Sequence, residues 1–82
     1  MRVIKRYPNR KLYDTVDSRY ITLPELANLI KSGEEFQVLE KVTGEDRTSQ
    51  TLAQIMHETE LKKPTFPIQL LTQIIREGSV PA

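Results

Sequence analysis

"KLYDTVDSRYITLPELANLI", residues 11–30, changes its period halfway along, and that change decides the fold class. The first half holds two short β-type runs, "KLYD" and "SRYIT", on either side of "TVDS". They read as a hairpin, strands 11–14 and 18–22, closed by a turn around Asp17-Ser18. The second half opens with Thr22-Leu23-Pro24-Glu25. Threonine can cap a helix, proline loses nothing in a first turn whose N–H groups have no helical partner, and Glu25 at the third helical position can complete a capping box. Leu23, Leu26, Ala27, Leu29 and Ile30 then share one face, and Gly33 offers a left-handed exit. A strand pair feeding a helix at 23–32 is expected.

Working outward, "RVIKRY" (2–7) is a strand with Val3, Lys5 and Tyr7 on one face, broken by Pro8-Asn9. Downstream, Phe36, Val38 and Glu40 alternate with Gln37 and Leu39 in a strand at 35–40. Thr43-Gly44 signals a tight turn, with a short return strand near 45–47. Thr48 is expected to cap a helix over 48–60, with Leu52, Ile55, Met56 and Thr59 along a narrow stripe and Lys62-Lys63-Pro64 ending it. A third helix is expected over 67–77, stopping at Gly78, followed by a loose tail at 79–82. The class is α+β: a small, hairpin-rich β amino-terminal half with three helices.

Eighty-two residues make one thin-cored domain, because a chain this short buries only about 60–65% of its unfolded surface. The sequence has no cysteine and one histidine, so disulfides and Cys/His metal sites are excluded and no cofactor is implied. No apolar run reaches the ~20 residues of a membrane span or forms a signal-peptide core, so a cytoplasmic protein without membrane contact is expected. His57, between Met56 and Glu58 on a helix, reads as a boundary residue. The pairs Glu34-Glu35 and Glu45-Asp46 are adjacent rather than converging, the glycines are dispersed, and no nucleophile stands at a recognisable spacing from a base. The sequence does not read as an enzyme.

The net charge of +1 conceals a division. Residues 1–22 carry six cations against two acids, a balance of +4, and residues 23–82 carry six against nine, a balance of −3. Such asymmetry accompanies a nucleic-acid or other anion-binding end. Lys5, Arg6, Arg10 and Lys11 bracket the rigid Pro8-Asn9 turn. Arginine forks suit phosphates and guanine edges, and asparagine suits phosphates or adenine edges. Lys5, Arg6, Asn9, Arg10, Lys11 and Arg19 are therefore the candidate nucleic-acid contacts. The alternative is a protein-interaction or oligomerisation module in which Arg6, Arg10 or Arg19 pair internally with Asp14 and Asp17. Tyr7, Tyr13 and Tyr20 could stack on bases, but sheet and core packing is the better reading of their strand positions. In the third helix Ile68, Leu70, Leu71, Ile74 and Ile75 span an arc of about 160°. Ile68, Leu71, Ile74 and Ile75 are the candidate interface of a homodimer or higher homo-oligomer.

The run "IKRYPNRKLYDT", then "SRYITLPELANLI", then "TGED" ahead of a helix with "LAQI", resembles the amino-terminal DNA-binding domain of the polyhydroxyalkanoate synthesis repressors, also called polyhydroxybutyrate accumulation regulators. The likeness covers about residues 2–60. It implies a bacterial transcriptional repressor that binds double-stranded operator DNA near genes for polymer synthesis and granule-associated proteins. The polymer or its oligomers would then be the effector that releases it. The division expected is a DNA-binding domain at 1–62, from the resemblance, and an amphipathic helix with a loose tail at 63–82, whose apolar arc would serve oligomerisation. Direct capture of a polyester or other small ligand would need an exposed apolar groove.

Overall fold

Strand β1 (Arg2–Arg6) occupies an inner position of a four-stranded mixed sheet of order β3-β2-β1-β4. It pairs antiparallel with β2 (Leu12–Asp14), which pairs antiparallel with β3 (Arg19–Ile21). On its other side β1 runs parallel to β4 (Phe36–Glu40). Parallel neighbours need a long crossover, and α1 (Leu23–Lys31) lies in that connection. Two further helices follow, α2 (Thr48–Lys62) and α3 (Ile68–Glu77). This computed structural model describes residues 1–78, so the expectation for the tail at 79–82 lies outside the described residues. The α+β arrangement and the seven elements match the sequence reading, with each boundary within a residue or two.

The α1 start forms as its residues dictate. The Thr22 hydroxyl accepts the Glu25 N–H at 3.2 Å, and the Glu25 carboxylate accepts the Thr22 N–H at 3.2 Å. Gly33, just past the helix, has φ +90, where a side chain would be strained. Two local expectations are corrected. The return segment makes a single antiparallel bridge, Leu39 to Asp46, and no strand. The reason is that the chain turns at once into α2 after covering the free edge of β4: Arg47 N–H donates to the Val38 carbonyl at 2.7 Å, and Val38 N–H to the Thr48 hydroxyl at 2.9 Å. That bond occupies Thr48, which therefore does not cap α2. The Thr48 N–H is instead accepted by the Asp46 carboxylate at 2.8 Å.

The sheet register divides the side chains by face. Ile4, Leu12, Ile21 and Val38 face the helices and, with Leu26 of α1, make the buried core. Leu23, Leu29, Ile30, Phe36 and Ile55 close over it. Asp14 shares that face beside Ile4 and is 0% exposed. Its carboxylate accepts the Val16 N–H at 2.9 Å, the Asp17 N–H at 3.4 Å and the Arg2 guanidinium. Arg2 also reaches Glu34 at 3.1 Å and Asp17 at 3.5 Å. One buried carboxylate thus joins the start of β1, the β2–β3 turn and the loop before β4.

Helix α3 stands apart from this core. Its link to α2 is held by the Glu60 carboxylate, which accepts the N–H groups of Thr65 and Phe66. None of its residues is buried, and Ile68 and Ile75 are 79% and 82% exposed.

Burial pushes the Asp14 carboxyl upward, but the Val16 and Asp17 N–H groups and Arg2 outweigh that and hold it below the ordinary carboxylate range. A lowered carboxyl contributes stability above its unfolded pKa of about 4 and loses it as pH falls through the folded value. Glu25, Asp46 and Glu60 are lowered too, mainly by the Arg19 hydrogen bond, the Thr48 N–H and the Thr65 N–H respectively. Stability should therefore be flat from neutrality to about pH 5 and fall below pH 4. Asp14→Ala should cost about 3 kcal/mol at pH 7, because it strands buried donors. In thermal unfolding this is a drop in Tm of roughly 12 °C or more, whereas a drop below about 3 °C would show that Asp14 is dispensable.

Candidate nucleic-acid interface

Between β1 and β2 the chain reverses through Tyr7-Pro8-Asn9-Arg10-Lys11. Arg10 N–H donates to the Tyr7 carbonyl at 2.9 Å, and Tyr7 N–H donates to the Lys11 carbonyl at 2.9 Å. This is a three-residue hairpin loop, in which proline suits the second turn position and the last loop residue must be left-handed. Glycine is usual there, yet here the residue is Arg10 at φ +68. The Asn9 side-chain oxygen accepts the Lys11 N–H at 3.2 Å and holds the turn. A bulky cation in a strained conformation at a hairpin tip is the kind of outlier that marks a functional position.

The sheet face turned away from the helices carries Val3 and Lys5 of β1, Tyr13 of β2, Tyr20 of β3, and Gln37 and Leu39 of β4. Tyr20 lies 5.2 Å from Tyr13 edge to face and 5.7 Å from Tyr7, measured between ring centroids. Two lysines lie over these rings, Lys11 over Tyr20 at 5.6 Å and Lys41 over Tyr7 at 5.5 Å. The tyrosines do pack, as expected from their strand positions, but with one another on the outer face rather than in the core. Tyr20 remains 54% exposed.

The cations of the sheet and its turns are sorted between its two faces. Arg2, Arg6, Arg19 and Arg47 are all ion-paired: Arg6 with Glu40 at 3.7 Å, Arg19 with Glu25 at 2.8 Å, and Arg47 with Glu45 at 2.7 Å. Lys5, Arg10, Lys11 and Lys41 form no ion pair among the described residues, and neither do Lys31, Lys62, Lys63 and Arg76 on the helices and their ends. What sets the first four apart is that they lie on the sheet and its turns. Asp46, bridged to Leu39 at the edge of β4, spends its carboxylate on the Thr48 N–H and the Gln37 side chain. Of the six residues proposed from sequence, Lys5, Asn9, Arg10 and Lys11 thus gather at one hairpin and the outer face. Arg6 and Arg19 are held by carboxylates. Their partners are not Asp14 and Asp17, because Arg2 has taken both. Lys41 was missed, since in "EKVTGED" three acids surround it in sequence.

Other chemistry is sparse. A shallow cleft of about 160 Å³ between α1 and α2 is lined by Leu23, Ala27 and Ile55 and rimmed by Lys31, Glu58 and Lys62. Two open hollows of about 350 Å³ lie between β3 and α1, at Arg19, Glu25 and Asn28, and along α3, at Ile68, Thr72 and Gln73. Among the described residues no three His, Cys, Asp or Glu side chains gather to hold a metal ion. No described helix is long and apolar enough to cross a membrane.

Comparison with known proteins follows the same residues. An uncharacterized protein of Allochromatium vinosum is 50% identical over 76 residues, covering 92% of this chain and 50% of the relative. A Thiocystis violacea protein described as "Uncharacterized protein in phbA 5'region" is 47% identical over 76 residues, covering 92% of this chain and 55% of the relative. The chain therefore spans about half the length of the curated relatives it matches. No solved structure matches it. The family model of the PHB/PHA accumulation regulator DNA-binding domain matches residues 3–63, which take in the sheet except Arg2, both lysine-bearing turns, α1 and α2. The chain belongs to the family of PHB/PHA accumulation regulator DNA-binding domains.

Proposed function

We propose that the chain is the DNA-binding part of a transcriptional repressor of polyhydroxyalkanoate synthesis or granule-protein genes, and that it grips double-stranded DNA with the hairpin tip and the outer sheet face. The observation that carries this reading is the sorting of cations. Arg6 and Arg19, on the helix side of the sheet, are neutralised by carboxylates, as is Arg47 after β4, while Lys5, Arg10 and Lys11 lie unpaired at the hairpin and the outer face. Unpaired cations on one surface release counterions when they meet phosphates, and this supplies affinity. Arg10 at the tip is the residue best suited to a phosphate or a guanine edge. Asn9 holds the turn, and Arg6 and Arg19, already paired, contribute less. The family match supports DNA as the partner. The description of the Thiocystis violacea relative by the phbA 5' region supports a link to polymer-synthesis genes.

The reading as a pure interaction module is favoured by the pairing of Arg6 and Arg19 but leaves Arg10 and the lysines without a role. Self-association accompanies DNA binding in our reading, with residues 1–62 as the DNA-binding part and α3 as the contact between copies. Ile68, Leu71 and Ile75 of α3 are exposed and Ile74 is half-buried. A second copy presenting the same face would cover them in a two-fold dimer and set two basic hairpins on a symmetric site.

Polarisation titrations against a duplex from upstream of the chain's own gene, and a scrambled duplex, test the first claim. Log affinity should fall with log salt at a slope of roughly −0.9 per phosphate neutralised, and the upstream duplex should bind about a thousandfold more tightly. Arg10→Gly should relieve the left-handed strain, raising stability by about 1 kcal/mol while weakening binding and shrinking the slope. Equal, weak, salt-insensitive binding to both duplexes would favour the interaction module. For self-association, sedimentation at micromolar concentration should show a dimer that Leu71→Glu dissociates. A monomer unchanged by Leu71→Glu would overturn that part.

A further inference from the structure

Lys41 lies in the turn after β4, fastened by its N–H to the Arg6 carbonyl at 2.9 Å. Its sequence neighbours would ordinarily neutralise it, yet each is diverted. Glu40 points to the helix side and is paired with Arg6 and Arg47, Glu45 is paired with Arg47 at 2.7 Å, and Asp46 is turned onto the Thr48 N–H. The Lys41 ammonium is left over the Tyr7 ring, at 5.5 Å from its centroid. Lys11 repeats the arrangement over Tyr20 at 5.6 Å, and the two rings are neighbours 5.7 Å apart. Both lysines lie within the ~6 Å range of a cation–π contact, which is worth only about 0.5–1 kcal/mol at an exposed site. A contact that weak contributes little to folding. It does restrict a flexible four-carbon side chain to one surface while leaving the ammonium hydrogens free for phosphate oxygens.

We infer that Lys41 is a phosphate contact, and that Tyr7 and Tyr20 are positioning residues that hold Lys41 and Lys11 on the outer face, so that the DNA backbone crosses the sheet there. This rests on the DNA-binding reading above and deepens it. It brings into the interface a residue from the far side of the chain's charge divide. It also sets a width, because the contacts run from the β3 edge, under Lys11, to the turn beyond β4.

The experiment measures binding of one 20-base-pair duplex across a salt series for the wild-type chain, Lys41→Ala, Lys41→Arg and Tyr7→Leu, with thermal unfolding of each. Lys41→Ala should reduce the salt slope by about 0.9 and weaken binding about eightfold at 0.1 M salt, the contribution of one released counterion relative to 1 M. Its Tm should stay within a few degrees of wild type. Lys41→Arg should keep the wild-type slope. Tyr7→Leu removes the ring but keeps apolar bulk, so it should weaken binding with the slope unchanged. A Lys41→Ala chain that binds with wild-type affinity and slope overturns the assignment while the DNA-binding reading stands. A wild-type chain without salt-dependent binding overturns both.

Discussion

The Asp14 carboxylate is fully buried beside Ile4, and the segments around it are arranged to satisfy it. Two N–H groups from the β2–β3 turn and the Arg2 guanidinium meet its oxygens. Removing water from a charge costs several kcal/mol unless geometry and hydrogen bonds compensate, so the position is exacting. The β2–β3 turn must fold back over the carboxylate, which places Ser18 at φ +53. Arg2 must lie at the start of β1, and Glu34 must come close enough to share it. Among the described residues five apolar side chains are buried in the core, and this polar knot adds to the register that the buried face of the sheet specifies.

Once that register is set, the two faces of the sheet acquire different chemistry. Alternation sends Ile4, Leu12, Ile21 and Val38 toward the helices and Lys5, Tyr13, Tyr20 and Leu39 outward. Carboxylates on the helix side, Glu25 and Glu40, collect the arginines that reach them. Lys5, Lys11 and Lys41 stay on the tyrosine face. On the proposed reading, the fold sorts its charge before it meets DNA, and a net charge near zero is compatible with a cationic surface.

Much of this was legible in the residues. The Thr22 capping box, the glycine exit of α1 and the alternation of β4 are local signals and need no partner, so the elements were readable. The β1–β4 parallel pairing was not, because register between strands more than 30 residues apart is set by tertiary contact. The partner of Asp14 escaped for the same reason: nearer arginines were the obvious candidates, and Arg2, twelve residues upstream, took it. The short return strand at 45–47 failed because the chain spent those groups on the edge of β4 and turned into α2. Of the interface, the hairpin cations were visible as a cluster. Lys41 was hidden among acids whose diversion to Arg47 and Thr48 only the folded chain reveals.

Mapping backbone amide shifts by NMR during titration with a duplex at low salt tests most directly the claim that the outer sheet face meets DNA. Changes should concentrate at Lys5, Tyr7, Asn9, Arg10, Lys11, Tyr20 and Lys41, and leave the exposed faces of α1 and α2 unmoved. Changes confined to α1 or α2, with the hairpin and the tyrosine face silent, would mean that a helix enters the groove and would contradict the account.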